Sequence, residues 1–417
     1  MLSGPHIALV STFFPPFNFG GDGIYLERFA GLLTERGCQV TVVHNPDAYR
    51  LLAGKASEGM TAPEGRPYRV VPVEAKRPFL ETLAIQQLGR PLATKPSIEA
   101  AVADADIIHY HNISLMGGPG VLSIGSALKI YTAHEHWLVC PSHILWRHNR
   151  EVCDGRECFR CQIAHRRPPQ LWRYTDLLEK QAAEVDAFIA LSQASAHNHA
   201  EFGFRFPMQV LPSFLPADPA PQGEEEHLNG GVPYLFFAGR LEIIKGLQDV
   251  VPLFGPDAPC DLLIAGDGAY KDELLRIEPE NSRVRWLGRL DPQEMGTYYR
   301  KALAVVTPSR CHEVFPLVSI EAFRAGTPII ARDLGAYREI VQETGAGFLF
   351  EKPEHIIDAV RKLMEGDTRE RLGRLALEKF ESRWSEDVAM KAYFDLLIGI
   401  AEKKGDSTLA GKLRKIA

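Results

Sequence analysis

Two carboxylates stand eight positions apart in Glu313-Val-Phe-Pro-Leu-Val-Ser-Ile-Glu321, with an apolar loop between them. Upstream, Gly239-Arg240-Leu-Glu-Ile-Ile-Lys245-Gly246 supplies two cations flanked by glycines. Arginine and lysine grip a diphosphate, and carboxylates accept hydrogen bonds from sugar hydroxyls. A cation pair and a carboxylate pair in one stretch therefore point to a site for a nucleotide-linked sugar.

The elements that position these groups follow from hydrophobic periodicity. Short β-branched runs alternate with amphipathic helical stretches, the pattern of parallel sheets covered by helices. His6–Val10, Val40–His44, Asp106–Tyr110, Lys129–Thr132 and Ala187–Leu191 read as strands. Ile24–Glu35 reads as a helix with Leu26, Phe29, Leu32 and Leu33 inward. Between Pro212 and Pro233 the text turns Pro-, Glu- and Gly-rich, which reads as a linker. Alternation restarts with Tyr234–Ala238, Cys260–Ala265, Val284–Leu287, Ala304–Val306 and Pro328–Ala331. The predicted fold is α/β, with two doubly wound Rossmann-like domains facing each other across a cleft. Residues 1–215 form the first, 216–389 the second, and a C-terminal helix from about residue 390 to 417 packs back on the first. Ligands of such sheets bind outside the carboxyl ends of the strands, so the cleft is the expected active site.

Composition narrows the class. The chain has 417 residues, more than one core normally serves. Its apolar content is 45% and its charged content 24%, ordinary for a globular protein. A formal net charge of −6 offers no basic excess to displace phosphate counterions, so no nucleic-acid partner is expected. Met1-Leu-Ser-Gly-Pro-His reads without a secretion signal, and no apolar run approaches the roughly 20 residues of a membrane span. The expected location is cytoplasmic, with peripheral membrane contact left open.

Gly239-Arg240 through Lys245-Gly246, Ala265-Gly-Asp-Gly268, the Glu313/Glu321 pair and the early Gly20-Gly21 turn together resemble the retaining GT-B glycosyltransferases of the large family, glycosyltransferase family four, that contains sucrose-phosphate synthases and bacterial mannosyltransferases. The resemblance covers most of the chain in order. Ala-Gly-Asp-Gly and Gly-Gly are generic alone; the arginine-lysine motif followed by paired glutamates is specific. It implies a metal-independent hexosyltransferase moving a sugar from a nucleotide-diphosphate sugar to an acceptor hydroxyl. Arg240 and Lys245 would neutralise the departing diphosphate, Glu321 would hold the ribose, and Glu313 would contact the donor sugar. His134 would stand beside the reaction centre. Phe315, Pro316, Leu317 and Val318 lead into a helix N-terminus whose free N–H groups could cradle phosphate oxygens.

Each of these residues also has a plainer reading. Arg240 and Lys245 could be solvated surface charges, His134 a strand-end residue, and Phe13–Phe17 a packed loop beside Gly20-Gly21. His109 and His111 are secondary acceptor-side candidates. A GT-B phosphorylase or epimerase, or a silent zinc-bearing scaffold, would share the architecture.

Of seven cysteines, Cys38, Cys260 and Cys311 lie in or beside apolar runs and read as small hydrophobes. Cys140, Cys153, Cys158 and Cys161 cluster in a polar stretch, where four thiolates would suit a structural zinc or remain free thiols, with an iron-sulfur cluster third. Around them Arg147, His148, Arg150, His165, Arg166 and Arg167, with Trp146 and Trp172, read as a basic, Trp-bearing patch, either solvated or facing an anionic or lipid-linked acceptor.

Overall fold

The computed structural model describes residues 4–217 and 228–417. Residues 218–227, inside the expected linker, lie outside the described residues.

The first sheet contains β1 (His6–Ser11), β2 (Gln39–His44), β3 (Arg69–Pro72), β4 (Ile107–Tyr110) and β5 (Leu128–Ala133). A small antiparallel hairpin follows, β6 (Trp146–Arg147) with β7 (Glu151–Val152), before β8 (Ala187–Ala190) and β9 (Met208–Val210) complete the sheet. Its order is β3-β2-β1-β4-β5-β8-β9, all parallel. The second sheet contains β10 (Tyr234–Ala238), β11 (Asp261–Ala265), β12 (Val284–Gly288), β13 (Ala304–Thr307), β14 (Ile329–Arg332) and β15 (Gly347–Phe350), in the order β12-β11-β10-β13-β14-β15. It too is parallel. The central strands are buried along their whole length and mostly apolar, as cover on both faces requires. Strand order reverses at β1/β4 and at β10/β13, and crevices open at such switch points.

β3, β9, β15 and the β6–β7 hairpin were not legible as strands. They are short, and three of them sit at sheet edges with mixed burial, so neither alternation nor an apolar run marks them.

The chain returns to the first domain through the helix Glu386–Lys403, which begins four residues before the predicted boundary, and the helix Ser407–Arg414. Met390, Tyr393, Phe394, Leu397 and Leu413 share a core with Ile7, Leu26 and Phe29. Leu215, leaving the first domain, bridges Ser385, entering this helix, so both crossings between domains run side by side.

Candidate active site

The Arg240–Lys245 loop leaves β10 and is gripped on both sides. The Gly239 and Leu241 N–H groups donate to the carbonyls of Ala265 (3.1 Å) and Asp267 (3.0 Å), and the Arg310 N–H donates to the Ile244 carbonyl (2.7 Å). Two glycines make this fit. Gly246 has φ +77°, and a Cβ there would fall 1.9 Å from the Pro308 carbonyl oxygen; one on Gly266, φ +138°, would meet the Gly239 carbonyl at the same distance. Only glycine tolerates both the conformation and the approach. Ala265-Gly-Asp-Gly268 is thus the seat of the arginine-lysine loop. The loop enters three short 3₁₀ turns, Ile243–Lys245, Leu247–Asp249 and Val251–Leu253, rather than an α-helix. Left-handed Gly246 and Pro252, which lacks an N–H, break the helical ladder.

Lys245 Nζ lies 2.7 Å from Glu313 Oε1, and Ser309 Oγ donates to the same oxygen at 3.0 Å. Burial opposes both charges, yet the pairing wins. It raises the lysine above its ordinary pKa, and Lys245 with Ser309 holds the Glu313 carboxyl below the usual range. The cation and the carboxylate read separately in the sequence therefore form one unit. Arg240 is more exposed and pairs with Glu242 at 2.8 Å, on the same loop.

Glu321 sits on the predicted helix, Leu317–Arg324. Its Oε2 accepts a hydrogen bond from the hydroxyl of buried Tyr299 at 2.7 Å, and the Tyr299 carbonyl is in turn held by Thr327 Oγ1. Tyr299, on the helix Pro292–Lys301, was passed over in the sequence. At the N-terminus of this helix the Leu317 and Ser319 N–H groups are taken by the carbonyls of Phe315 (3.1 Å) and Pro316 (2.9 Å). Fewer donors than expected remain for an anion. Phe315 is itself buried in the second core, with Leu317 and Val318 packed at its margin.

Opposite, Gly20 caps and Gly21 begins the helix Gly21–Glu35. A Cβ on Gly21 would stand 3.4 Å from Leu317 Cδ1, so the first-domain turn faces the Glu321 helix directly. The domains are further joined by Ser192 Oγ, which donates to the Val314 carbonyl at 2.7 Å, and by Glu339, whose carboxylate accepts the N–H groups of Gln193 (3.0 Å) and Ala194 (2.8 Å). Glu339 thereby caps a first-domain helix from the second domain.

His134 follows β5 and is half-buried, 2.9 Å by Nε2 from Nδ1 of His111. Burial lowers its pKa to about 4, so the ring is neutral near pH 7. His109, a predicted acceptor-side candidate, is spent on structure: its two nitrogens meet Tyr393 Oη (3.2 Å) and Thr132 Oγ1 (2.8 Å). Asp22, which sequence reading passed over, lies within 3.4 Å of Asn112 Nδ2, and burial with the nearby Glu135 carboxylate raises its pKa. Glu135 itself pairs with His143 at 2.7 Å.

The expected Trp-bearing surface patch is corrected. Trp146 is 3% exposed and packs with Ile244 and Cys311, so the β6–β7 hairpin reaches across to the loop carrying Lys245. Trp172 is buried beneath the Arg173 guanidinium, 4.3 Å from the ring centre. Indole rings sought apolar contacts that a surface placement would have denied them.

Cys38, Cys260 and Cys311 are buried free thiols. Cys140, Cys153, Cys158 and Cys161 line one small cavity, and burial, with the neighbouring thiols adding to it, raises the pKa of Cys153, Cys158 and Cys161. Cys161 Sγ accepts the His148 N–H at 3.3 Å. Nevertheless, among the described residues no three His, Cys, Asp or Glu side chains are gathered closely enough, as they stand, to hold a metal ion. The surrounding backbone is strained: His143, Leu145, His148, Asn149 and Arg166 are five of the seven non-glycine residues at positive φ among those described.

Comparison with known proteins agrees with this architecture. Residues 19–218 match the family described as Glycosyltransferase Family 4, and residues 221–379 that described as Glycosyl transferases group 1. A glycogen synthase of Thermus thermophilus is 35% identical over 154 residues, 35% of each chain. A D-inositol 3-phosphate glycosyltransferase of Paenarthrobacter aurescens is 30% identical over 184 residues, 40% of this chain and 45% of the relative. The matched region spans less than half the length of these curated relatives. Among solved structures, a sucrose-phosphate synthase from Thermosynechococcus elongatus superposes with a TM-score of 0.69 at 17% identity, covering 95% of this chain and 100% of that one. Anabaena HepE in complex with UDP gives 0.63 at 16% identity, covering 94% and 99%. These likenesses establish the GT-B fold.

Proposed function

Because the chain belongs to the GT-B glycosyltransferases of family four, we propose that it moves a sugar from a nucleotide-diphosphate sugar to an acceptor hydroxyl with retention at the anomeric carbon. The observation that carries this reading is the Lys245–Glu313 pair, held beside Arg240 at the β10/β13 switch point, with the neighbouring Glu321 helix facing the Gly20-Gly21 turn. The structures of HepE with UDP and with UDP-glucose favour a nucleotide-sugar donor.

In the proposed reaction the bond from the anomeric carbon to the diphosphate oxygen breaks while a bond to the acceptor oxygen forms on the same face. The acceptor proton passes to the departing phosphate oxygen, and the products are the glycoside and the nucleoside diphosphate. Arg240 and Lys245 stabilise the charge gathering on the leaving group, so this chemistry requires no cation. Glu313 orients Lys245 and contacts the donor sugar; Glu321, steadied by Tyr299, accepts from the ribose hydroxyls. Neutral His134, its orientation set by His111, serves the reaction centre as a hydrogen-bonding group. Closure of the two domains keeps out water, the competing acceptor.

A structural zinc on Cys140, Cys153, Cys158 and Cys161 belongs to the same proposal, supported by the one small cavity that all four line. The ion would draw the sulfurs together and fix the hairpin that carries Trp146.

Turnover of a panel of nucleotide sugars, with the product anomer assigned by NMR, tests the reading. Release of nucleoside diphosphate with retained configuration supports it. Phosphorolysis, epimerisation or inertness toward every donor would replace it with the phosphorylase, epimerase or scaffold.

A further inference from the structure

The helix Pro78–Leu88 is built inside out. Its buried residues are Glu81 and Ile85. Glu81 is 6% exposed because its carboxylate collects four donors: the N–H groups of Leu92 (2.8 Å), Ala93 (2.9 Å) and Thr94 (3.1 Å), and Thr94 Oγ1 (2.7 Å). These bonds outweigh burial and keep the carboxyl acidic. The opposite face carries Phe79, Leu80 and Leu83, all exposed, within about 100° of helical arc. Phe79 is 65% exposed.

A polar anchor holding an apolar face toward solvent is the reverse of an ordinary surface helix. The apolar surface continues beyond it: Leu88 and Leu92 are exposed, as are Leu51 and Leu52 on the helix Pro46–Ala53, which packs against this one. Single exposed leucines are commonplace, but a run of this size marks an interaction surface.

The charge around it says what it meets. From Pro46 to Glu99 there are eight Lys and Arg against five Glu and one Asp, a local surplus of two positive charges in a chain of net −6. Lys76, Arg77 and Arg90 flank the apolar residues and are exposed, whereas Lys95 pairs with Glu99 at 3.5 Å. An apolar face ringed by cations fits an anionic bilayer, where side chains enter the acyl boundary and ammonium and guanidinium groups meet headgroups. A second copy of this chain would bring like charges together.

We propose that this surface docks the protein on anionic membranes, with Phe79, Leu80 and Leu83 inserted. No helix among the described residues is long and apolar enough to cross a bilayer, so the attachment is peripheral and reversible. The surface also adjoins the cleft: the Tyr49 ring, on the helix Pro46–Ala53, lies 4.5 Å from that of Phe19, next to Gly20. Docking by this face would hold the first-domain side of the cleft close to the membrane.

Co-sedimentation of the whole protein with phosphatidylcholine vesicles, with and without one-third phosphatidylglycerol, tests this independently of any enzymatic activity. The protein should pellet with anionic vesicles and be released by salt. The triple variant Phe79→Ser/Leu80→Ser/Leu83→Ser should bind at least roughly tenfold less, with thermal unfolding unchanged because these side chains are already exposed. Lys76→Glu/Arg77→Glu, which leaves the apolar face intact, should weaken binding to anionic vesicles alone. The proposal is overturned by wild-type protein staying in the supernatant, by equal binding to both vesicle types, by undiminished binding of the triple variant, or by a wild-type dimer that the triple variant dissolves.

Discussion

Lys245 and Glu313, 68 positions apart in the chain, meet at 2.7 Å between the loops that follow β10 and β13. Half-buried, the lysine keeps its charge because the carboxylate faces it, and the carboxylate stays ionised because the lysine does. An incoming diphosphate would meet a cation already fixed in place, with its reorganisation cost met on folding.

Removing either leaving-group cation should cost transfer far more than fold. Lys245→Ala and Arg240→Ala are each expected to lose about 3 kcal/mol of transition-state stabilisation, some hundredfold in turnover. Lys245→Ala also strands Glu313, so Lys245→Ala/Glu313→Gln should recover stability without recovering activity. Turnover and melting temperature measured side by side distinguish the two effects; near-normal turnover in both single variants would remove these residues from the mechanism.

Glu321→Gln should chiefly weaken donor binding, since a group gripping ribose acts in ground and transition states alike. Tyr299→Phe should produce a smaller loss in the same direction, because it removes only the 2.7 Å bond that orients the carboxylate. Calorimetric titration with the nucleoside diphosphate reads both, and an unchanged dissociation constant in Glu321→Gln contradicts the assignment.

Trp146→Ala should loosen the hairpin from the Lys245 loop. The side chain is 3% exposed between Ile244 and Cys311, and truncating a buried tryptophan costs about 3–5 kcal/mol. Proteolysis of the segment around residues 140–167 should accelerate and donor affinity should fall. Wild-type protease resistance would mean that the contact does not hold the hairpin.

Elemental analysis of protein purified without chelator should find about one zinc per chain. Chelation should then expose four titratable thiols and hasten cleavage of the same segment. Protein free of metal with all four thiols reactive would leave the cluster as reduced cysteines.

Stability should fall as pH drops from 6.5 toward 4. Burial lowers His44 to about 4, whereas the unfolded ring titrates near 6.5. Above pH 6.5 both states are neutral and nothing is lost. Below it the unfolded chain takes up the proton first, and by pH 4 the penalty approaches an order of 3 kcal/mol for a group 3% exposed. His109, His111, His134 and His136, all lowered by burial, act with the same sign. Urea midpoints across this range check it, and His44→Phe should flatten the slope.

The strand-helix alternation and the two sheets were legible because each rests on local pattern. Apolar runs mark buried parallel strands, and charged residues between glycines mark loops that approach a ligand. The helix Leu317–Arg324 was legible as a helix beginning after Phe315-Pro316, since its apolar face and flanking proline are adjacent in the chain. Short edge strands left no such mark.

Pairing was beyond the sequence's reach. No local signal joins Lys245 to Glu313, Tyr299 to Glu321, or Glu339 to the start of a helix in the other domain, because each pair is made by segments that only the packed sheets bring together. Trp146 and the helix Pro78–Leu88 make the same point in opposite directions. An indole in a basic stretch turned inward because Ile244 and Cys311 offered it cover, and leucines on a helix stayed outside because Glu81 had the better partners within. Sequence determined which residues could do chemistry and which elements would carry them. Tertiary structure decided which of them meet, since burial and hydrogen-bond satisfaction are settled between segments distant in the chain.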